Sequence, residues 1–352
     1  MAGQNTVAPF VIGGQAVPAG TRRTVDLPVA ALYTNTPVQL PVIVHHGREA
    51  GPKLFVSAAL HGDEIIGVEI IRRVLKLPQL ADLRGTLMAV PVVNVLAFMH
   101  QSRYSPDRRD LNRSFPGSES GSLTARLARL FLHEVVGRAD YGVDLHTGAI
   151  HRPNLPQIRA DLANSENLRL ARAFGAPLLL NSAPATGTLR EYTTKKGIPV
   201  LLYESSEALR FDETCIRIGV QGVINVMTAL GMLPAVDSAV APPEPIIARS
   251  SSWLRAPASG ILRTQAALGD AIYAGQTLGV VGDPFGANET AVLANTAGIV
   301  IGRLMLPLVY EGDAVFHIAR LGAPDAAAQT VGQAEAEFDS ATDNRHGEPR
   351  LA

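Results

Sequence analysis

The feature that most constrains the fold is an alternation of strand-like and helix-like stretches between residues 53 and 230. Apolar residues recur at helical spacing in residues 64–76, 123–136 and 215–230. Short, mostly apolar runs typical of buried strands occupy residues 54–60, 87–93, 141–145 and 200–203. This alternation predicts an α/β fold with a mixed, largely parallel sheet that carries helices on both faces.

The rest of the chain differs in composition from this α/β region. Residues 1–50 contain alternating apolar and polar positions, which predict a β segment packed on a main domain of residues 51–238. Three prolines within residues 239–245 predict a linker. Short β-like runs broken by Gly and Asp predict an all-β domain over residues 246–322. Residues 323–352 show no apolar periodicity and predict a flexible tail.

An internal repeat marks the predicted all-β domain. The sequence ASGIL at 258–262 precedes GDA at 269–271, and TAGIV at 296–300 precedes GDA at 312–314. Two such half-motifs resemble the barrel-sandwich of biotinyl and lipoyl domains. Those domains need an acceptor lysine, and this chain has no lysine after Lys196. We therefore expect no lysine-linked prosthetic group here.

Composition excludes several functional classes. With 47% hydrophobic residues, 18% charged residues and a net charge of −1, the chain is typical of a soluble globular protein. It has no basic run, so we expect no nucleic-acid partner. The single cysteine, Cys215, excludes an intramolecular disulfide and a Cys-rich zinc site. We find neither a leader nor an apolar run of about 18 residues, and expect a cytoplasmic protein with no membrane partner.

Polar residues follow predicted strands at the edge where ligands bind to parallel sheets. His61 and Glu64 lie three apart where a strand turns into a helix, and His146 follows the strand at 141–145. Imidazole and carboxylate donors suit Zn²⁺, and a catalytic zinc usually has three protein ligands and an open position. A lone HxxE pair is more often a solvated helix start. The second histidine is what favours a zinc site.

Further residues complete a hydrolytic site. Glu204 follows a mostly apolar run and is the candidate general base that activates water. Four arginines lie between residues 103 and 113, where Asn112 stands beside Arg113. Such a pair can bind a carboxylate, the arginine through two parallel hydrogen bonds.

Together these motifs resemble one known family. HGDE at 61–64, DLNRSFPG at 110–117, DLHTG at 144–148 and Glu204 occur in the order of the succinylglutamate desuccinylase/aspartoacylase family, over residues 50–322. The resemblance implies a zinc carboxypeptidase-like fold. It also implies a deacylase that acts on a linear amide bond of an N-acylated amino acid or related small molecule.

The resemblance also implies roles for individual residues, which makes residues 51–238 a zinc-dependent catalytic domain. One Zn²⁺ per chain is expected on His61, Glu64 and His146, with Glu204 as the base. Arg103 is expected to polarise the scissile carbonyl. The substrate carboxylate is expected to bind to Asn112 and Arg113.

Five residues have roles that the resemblance leaves open. The spacing from Arg103 to Asn112 is slightly longer than in aspartoacylase, so Arg108 or Arg109 could polarise the carbonyl instead. Arg159 and Arg190 lie in stretches similar to those of related bacterial deacylases. We predict that they bind the substrate, although surface arginines fit the same pattern. Tyr310 lies where relatives lean a loop over the cleft, and a substrate contact is one interpretation.

Two alternative functions stay open at this point. The same residues would serve a zinc carboxypeptidase that cleaves peptides, and substrate size would separate the two. A catalytically silent ligand-binding relative would not need Glu204 at the open metal position. The apolar strands near the N-terminus could also pair between subunits, so a homo-oligomer is a further expectation.

Overall fold

The computed structural model describes residues 7–234 and 244–340. The region up to residue 229 begins with a β segment and continues with alternating strands and helices. Its strands are β1 (Phe10–Ile12), β2 (Gln15–Val17), β3 (Thr21–Ala31), β4 (Pro37–His46), β5 (Glu49–Ala58), β6 (Arg84–Val90), β7 (Tyr141–Gly148), β8 (Asn154–Ala160), β9 (Leu178–Asn181) and β10 (Val200–Glu207). Its α-helices are α1 (Ile66–Val74), α2 (Val95–Met99), α3 (Leu123–Glu134), α4 (Ser165–Phe174), α5 (Leu189–Lys195) and α6 (Glu213–Ala229).

The described part beyond residue 243 consists of short strands and one helix at its end. The strands are β11 (Ile246–Ala248), β12 (Ser251–Arg255), β13 (Gly260–Thr264), β14 (Ala271–Ile272), β15 (Thr277–Gly282), β16 (Glu289–Leu293), β17 (Gly298–Arg303), β18 (Leu308–Val309) and β19 (Ala314–Arg320). The helix is α7 (Pro324–Ser340).

Thirteen of the described strands form one mixed sheet. At its centre β10, β7, β5 and β6 are neighbours in that order, and all three pairings are parallel. On one side β4 and β3 continue the sheet antiparallel, and on the other β8 pairs antiparallel with β10. The mixed sheet with helices confirms part of the sequence prediction. The expectation that it is largely parallel is wrong, because seven of its twelve described pairings are antiparallel. Parallel pairing is confined to this centre and to β8–β9–β11.

Helices cover both faces of the sheet, as the sequence predicts. Successive side chains of a strand point to opposite faces. In β5, Leu54 and Val56 therefore pack into a core with α1, α4 and α6, whereas Phe55 packs into a second core with α3, β3 and β4. Phe55 meets Phe131 of α3 edge to face, with ring centroids 6.1 Å apart.

The strands beyond residue 245 are joined to the main sheet. Strand β11 pairs in parallel with β9, and Gly302 of β17 pairs with Asn154 of β8. Strands β13, β15, β16 and β18 form a separate four-stranded sheet, and Leu262 and Phe316 belong to the core of this region. Residues 246–322 are thus strand-rich, as predicted. Their division from the main domain stays a prediction, and residues 235–243, with most of the predicted linker, lie outside the described residues.

The prediction of a flexible tail is wrong for residues 324–340, which form α7. Ala327, Val331 and Ala334 are buried, and their spacing places them on one face of the helix. Val331 packs with Ile299 and Ile301 of β17. The sequence hides this helix because its buried face is made mostly of alanine, which gives little apolar contrast. Residues 341–352 lie outside the described residues.

Candidate active site

The predicted metal-binding residues meet at the edge of the sheet where β5, β7 and β10 end. His61 and Glu64 lie in the turn between β5 and α1, since α1 begins only at Ile66. Their spacing of three residues therefore brings the side chains together through a turn and not along a helix face. The turn is closed by the backbone N–H of Glu64, which donates to the carbonyl of His61 at 3.1 Å. His146 lies within β7 rather than after it.

Glycine is required within this turn. A Cβ atom added to Gly62 would lie 2.0 Å from the carbonyl carbon of Ala97. Because that contact is with backbone, no side-chain movement could relieve it. Gly62 therefore lets the turn approach α2 closely enough to place His61 and Glu64 at the sheet edge.

The three predicted ligands form a compact buried cluster. One donor atom from each of His61, Glu64 and His146 lies within 4.8 Å of the others. Glu64 Oε1 is 2.6 Å from His61 Nδ1, and its Oε2 is 2.7 Å from His146 Nδ1. The three residues are at most 4% exposed. Both Nδ1 atoms thus point at one shared centre.

Two carboxylates orient the histidine rings. His61 Nε2 lies 3.0 Å from Asp110 Oδ1, and His146 Nε2 lies 2.8 Å from Asp144 Oδ2. A ring that donates its Nε2 hydrogen to a carboxylate keeps the Nδ1 lone pair free for a metal ion. Asp144 stands in the same DLHTG motif as His146, whereas Asp110 stands in the DLNRSFPG motif, for which the sequence predicted no such role. Asp63 of the HGDE motif is buried but hydrogen-bonds to neither histidine ring.

Neighbouring charges outweigh burial in setting the pKa values of the cluster. Burial alone would lower the pKa of His146, but the carboxylates of Asp144 and Glu64 outweigh it and raise that pKa well above its usual value. Burial would raise the pKa of Glu64, yet the two histidines hold it below its usual range. Two imidazoles and a carboxylate, buried and mutually attracting, fit the donor set of a zinc site with three protein ligands.

Arg103 lies beside the cluster. Its Nη1 is 3.4 Å from Glu64 Oε1, and its Nη2 donates to Asp110 Oδ2 at 2.9 Å. The guanidinium also lines the cavity in front of the cluster, whereas Arg108 and Arg109 do not. Of the three arginines considered from the sequence, the geometry therefore favours Arg103.

The cavity also brings together the predicted substrate-binding residues. Asn112 and Arg113 lie in a 3₁₀ turn that the Asp110 side chain caps by accepting from the Asn112 N–H at 2.8 Å. Asn112 Oδ1 in turn accepts from the backbone N–H of Leu189 at 3.0 Å. Both Asn112 and Arg113 line the cavity.

Glu204 faces the same cavity from β10. It pairs in register with His146 of β7, so the two side chains belong to neighbouring strands. Its Oε1 accepts from Asn154 Nδ2 at 2.5 Å, and its Oε2 lies 3.1 Å from Arg159 Nη1. The prediction that Arg159 belongs to the site is consistent with this placement. In this structure its partner is Glu204.

Arg190 lies deeper in the cavity wall. Its Nη2 donates to Ser182 Oγ at 3.2 Å. Burial and the nearby charge of Arg159 lower the pKa of the Arg190 guanidinium to about 10. It therefore keeps its charge at neutral pH and offers a desolvated cation to an anionic group.

The C-terminal strands contribute one wall of the cavity. Trp253 of β12 lines it, and its ring stacks on His317 with centroids 4.7 Å apart. The Arg152 guanidinium carbon lies 5.7 Å from the Trp253 ring centroid. Tyr310 is 78% exposed and lies outside the cavity lining. Trp253 was missed because it stands far from every motif, and only its being the one tryptophan marks it in the sequence.

No helix among the described residues combines the length and the hydropathy that a membrane span requires. The cytoplasmic location stays a prediction.

A match to a protein-family model shows to which family the chain belongs. The model for the succinylglutamate desuccinylase/aspartoacylase catalytic domain matches residues 50–230, slightly more than half of the 352 residues. The chain belongs to the succinylglutamate desuccinylase/aspartoacylase family. Membership in this family of deacylases makes the chain a hydrolase, and it places the His61–Glu64–His146 cluster inside the matched domain.

Relatives within this family cover most of the chain. An N-α-acetyl-L-2,4-diaminobutyric acid deacetylase from Halomonas elongata is 26% identical over 81% of this chain and 86% of its own length. A succinylglutamate desuccinylase/aspartoacylase from Rhodobacter sphaeroides is 26% identical, with a TM-score of 0.75 over 84% of this chain and 94% of that one.

A third relative shows the shared fold. The product-bound ectoine utilization protein EutE (DoeB) from Ruegeria pomeroyi superposes with a TM-score of 0.77 over 86% of this chain and 95% of that one, at 24% identity. At that identity the likeness concerns the fold alone.

Proposed function

We propose that this protein is a zinc-dependent amidohydrolase that removes the acyl group from an N-acylated amino acid or a close relative. The observation that carries the proposal is that Glu204 faces the same cavity as the cluster of His61, Glu64 and His146. A carboxylate beside an open metal position is what water activation needs. A purely structural zinc site would have no use for it.

The chain's own residues then divide the reaction between them. One Zn²⁺ held by His61, Glu64 and His146 would act as a Lewis acid on the substrate carbonyl and acidify water. Glu204 accepts the proton of the attacking water and delivers it to the amine nitrogen as the C–N bond breaks. Arg103 donates to the carbonyl oxygen, where negative charge develops.

Arginines supply the binding of the substrate. Asn112 and Arg113 hold the carboxylate of the amino acid, which orients the amide bond toward the base. Arg190 and Arg159 face a further anionic group, on either the acyl chain or the amino-acid side chain. For Arg159 this contact would compete with its ion pair to Glu204, 3.1 Å away.

The cavity favours this activity over a peptidase. It has a volume of about 350 Å³ and is walled by Trp253 on the side of the C-terminal strands. A space of that size suits a small molecule. A carboxypeptidase would need room on the far side of the scissile bond for the rest of the peptide.

The decisive experiment combines metal analysis with a substrate panel. We expect close to one zinc per chain and chelator-sensitive release of amine from N-acetyl, N-succinyl or N-formyl amino acids. Release from dipeptides and longer peptides alone would replace the proposal by a carboxypeptidase. Absence of metal from protein purified without chelator would contradict the mechanism and leave a ligand-binding relative.

A further inference from the structure

We propose that Asn154 is a positioning residue for Glu204, and that the C-terminal strands act on the reaction through it at Gly302. The inference rests on the proposed function, in which Glu204 is the general base. It assigns to the C-terminal strands a part in catalysis besides the wall formed by Trp253.

The first support is that each carboxylate oxygen of Glu204 has one donor. Asn154 Nδ2 lies 2.5 Å from Oε1, and Arg159 Nη1 lies 3.1 Å from Oε2. The Glu204 side chain is 14% exposed, so water competes little for these bonds. Two donors on two oxygens fix the plane of the carboxylate as well as its place. Asn154 does so without adding a charge.

The second support is that strand geometry does not hold Glu204 by itself. The pairing of β10 with β7 and with β8 is irregular immediately after Glu204. Ser206, within this irregular stretch, has a φ of +59°. A bulge of this kind redirects side chains and interrupts the ladder. The orientation of the carboxylate therefore depends on side-chain partners.

The third support is that glycines on two strands leave room for Asn154. A Cβ at Gly148 of β7 would lie 3.1 Å from Asn154 Nδ2. A Cβ at Gly302 of β17 would lie 2.6 Å from Asn154 Oδ1. Gly302 is also the residue that pairs with Asn154 across the β17–β8 bridge. A C-terminal strand thus determines where the amide that holds Glu204 can sit.

Substitution of Asn154 tests the contact directly. We expect Asn154→Leu to lower kcat by about 100-fold, because a displaced Glu204 carboxylate is no longer in position to accept the proton of the attacking water. KM should change less than about twofold, and zinc content should stay as in the wild type. Asn154→Asp, which keeps the shape but opposes two carboxylates, should lower kcat at least as far. Asn167→Leu is the matched control, since Asn167 and Asn154 are 8% and 6% exposed and only Asn154 touches Glu204.

A double-mutant cycle separates positioning from a general loss of structure. In a Glu204→Gln background, adding Asn154→Leu should lower the residual kcat less than threefold. Full additivity of the two changes would overturn the inference. So would wild-type kcat in Asn154→Leu, an equal loss in Asn167→Leu, or a rise in KM that accounts for the whole loss.

The glycine tests the link to the C-terminal strands. Gly302→Ala should lower kcat by about tenfold or more with zinc retained. Gly282→Ala, in β15 where a Cβ would have only ordinary contacts at 3.6 Å, should behave as the wild type. Equal kinetics for the two variants would overturn the link. If Glu204→Gln itself keeps wild-type turnover, the proposed function fails instead, and this inference with it.

Discussion

Single residues at this site depend on partners, most of which are distant in sequence. Asp110 and Asp144 orient the two histidines, and Asn154 and Arg159 hold Glu204, the proposed base. Carboxylates that hold both rings fix the orientation of the two Nδ1 atoms before any metal ion binds. The roles of ligand and base can therefore be separated by experiment.

Glu204→Gln should lose turnover but keep zinc, whereas His146→Ala should lose both. Glu204→Gln keeps all three ligands, so zinc should stay bound while kcat falls by about 10²- to 10⁴-fold. His146→Ala removes a ligand, so zinc should be lost along with activity. Elemental analysis of both purified variants, with kcat measured in parallel, checks this. Equal zinc loss in both would contradict the assigned roles.

Arg113→Ala should weaken substrate binding selectively. A charge-assisted bidentate contact to a carboxylate is worth about 2 kcal/mol, so KM should rise by about 10- to 100-fold for a free acyl amino acid. An amidated substrate lacks that carboxylate and should show little change. KM values for the matched substrate pair decide this, and an equal rise for both would remove the carboxylate contact.

The sequence predicted the residues that stand in motifs and missed those that act through tertiary contacts. His61, Glu64 and His146 come together because each follows or ends a strand at one sheet edge, which strand patterning can predict. Asn154 and Trp253 belong to no motif. Asn154 comes close to Glu204 through the pairing of β8 with β10, and Trp253 reaches the cavity on β12, which pairs with β19. Periodicity does not encode either pairing.

Among the elements, α1 and α6 are joined by an ion-pair network. The Glu69 carboxylate of α1 accepts hydrogen bonds from Arg72 and Arg73. Arg73 also forms an ion pair with Glu213 of α6 at 2.7 Å. Hydrogen bonds from Arg72, with those from Arg73, lower the pKa of Glu69 from its ordinary 4.5 to about 2. This stabilises the folded state above pH 4.5, and the effect is lost as the pH falls toward 2.

Glu69→Gln should therefore lower stability in a pH-dependent way. At pH 6 we expect a loss of about 1 kcal/mol, as for a partly buried bidentate ion pair. The difference from wild type should shrink between pH 4.5 and pH 2. Urea unfolding of both proteins across this range measures it, and metal loss at low pH affects both alike. A difference that grows on acidification would contradict the assignment.

The last helix, α7, should contribute to stability despite its plain sequence. Val331 is 2% exposed and packs on β17. Val331→Ala should cost about 2 kcal/mol, since it removes buried methyl groups and leaves a void. Gln329→Ala, on the exposed side of α7, should cost little. Equal midpoints of urea unfolding for the two variants would show that α7 does not stabilise the fold.

At the scale of the whole molecule, the cavity belongs to two distant parts of the chain. Of the proposed metal ligands, two lie in the turn after β5 and one lies in β7, whereas Trp253 comes from the C-terminal strands. The main sheet continues across both parts through the β9–β11 and β8–β17 pairings. The size of substrate that the cavity admits therefore depends on how these two parts of the chain pack together.

Trp253→Ala should widen the range of substrates. Removing the indole opens the wall, so the ratio of kcat/KM for an acyl amino acid to that for a tripeptide should fall by about tenfold. Tyr310→Ala, an exposed aromatic outside the cavity, should leave the ratio unchanged. Competition between the two substrates in one assay gives the ratio directly. An unchanged ratio in Trp253→Ala would mean that the wall does not select for size.

The β17–β8 bridge also determines when the site can become complete during synthesis. A ribosome releases the chain from its N-terminus, so His61, Glu64 and His146 emerge long before Gly302. Until β17 and β19 are synthesised, Asn154 lacks the strand neighbour that confines it, and β12 with Trp253 lacks the strand with which it pairs. Under the proposed function, the metal ligands of a nascent chain can therefore come together before its cavity is complete. Metal binding and turnover would then begin at different times during synthesis.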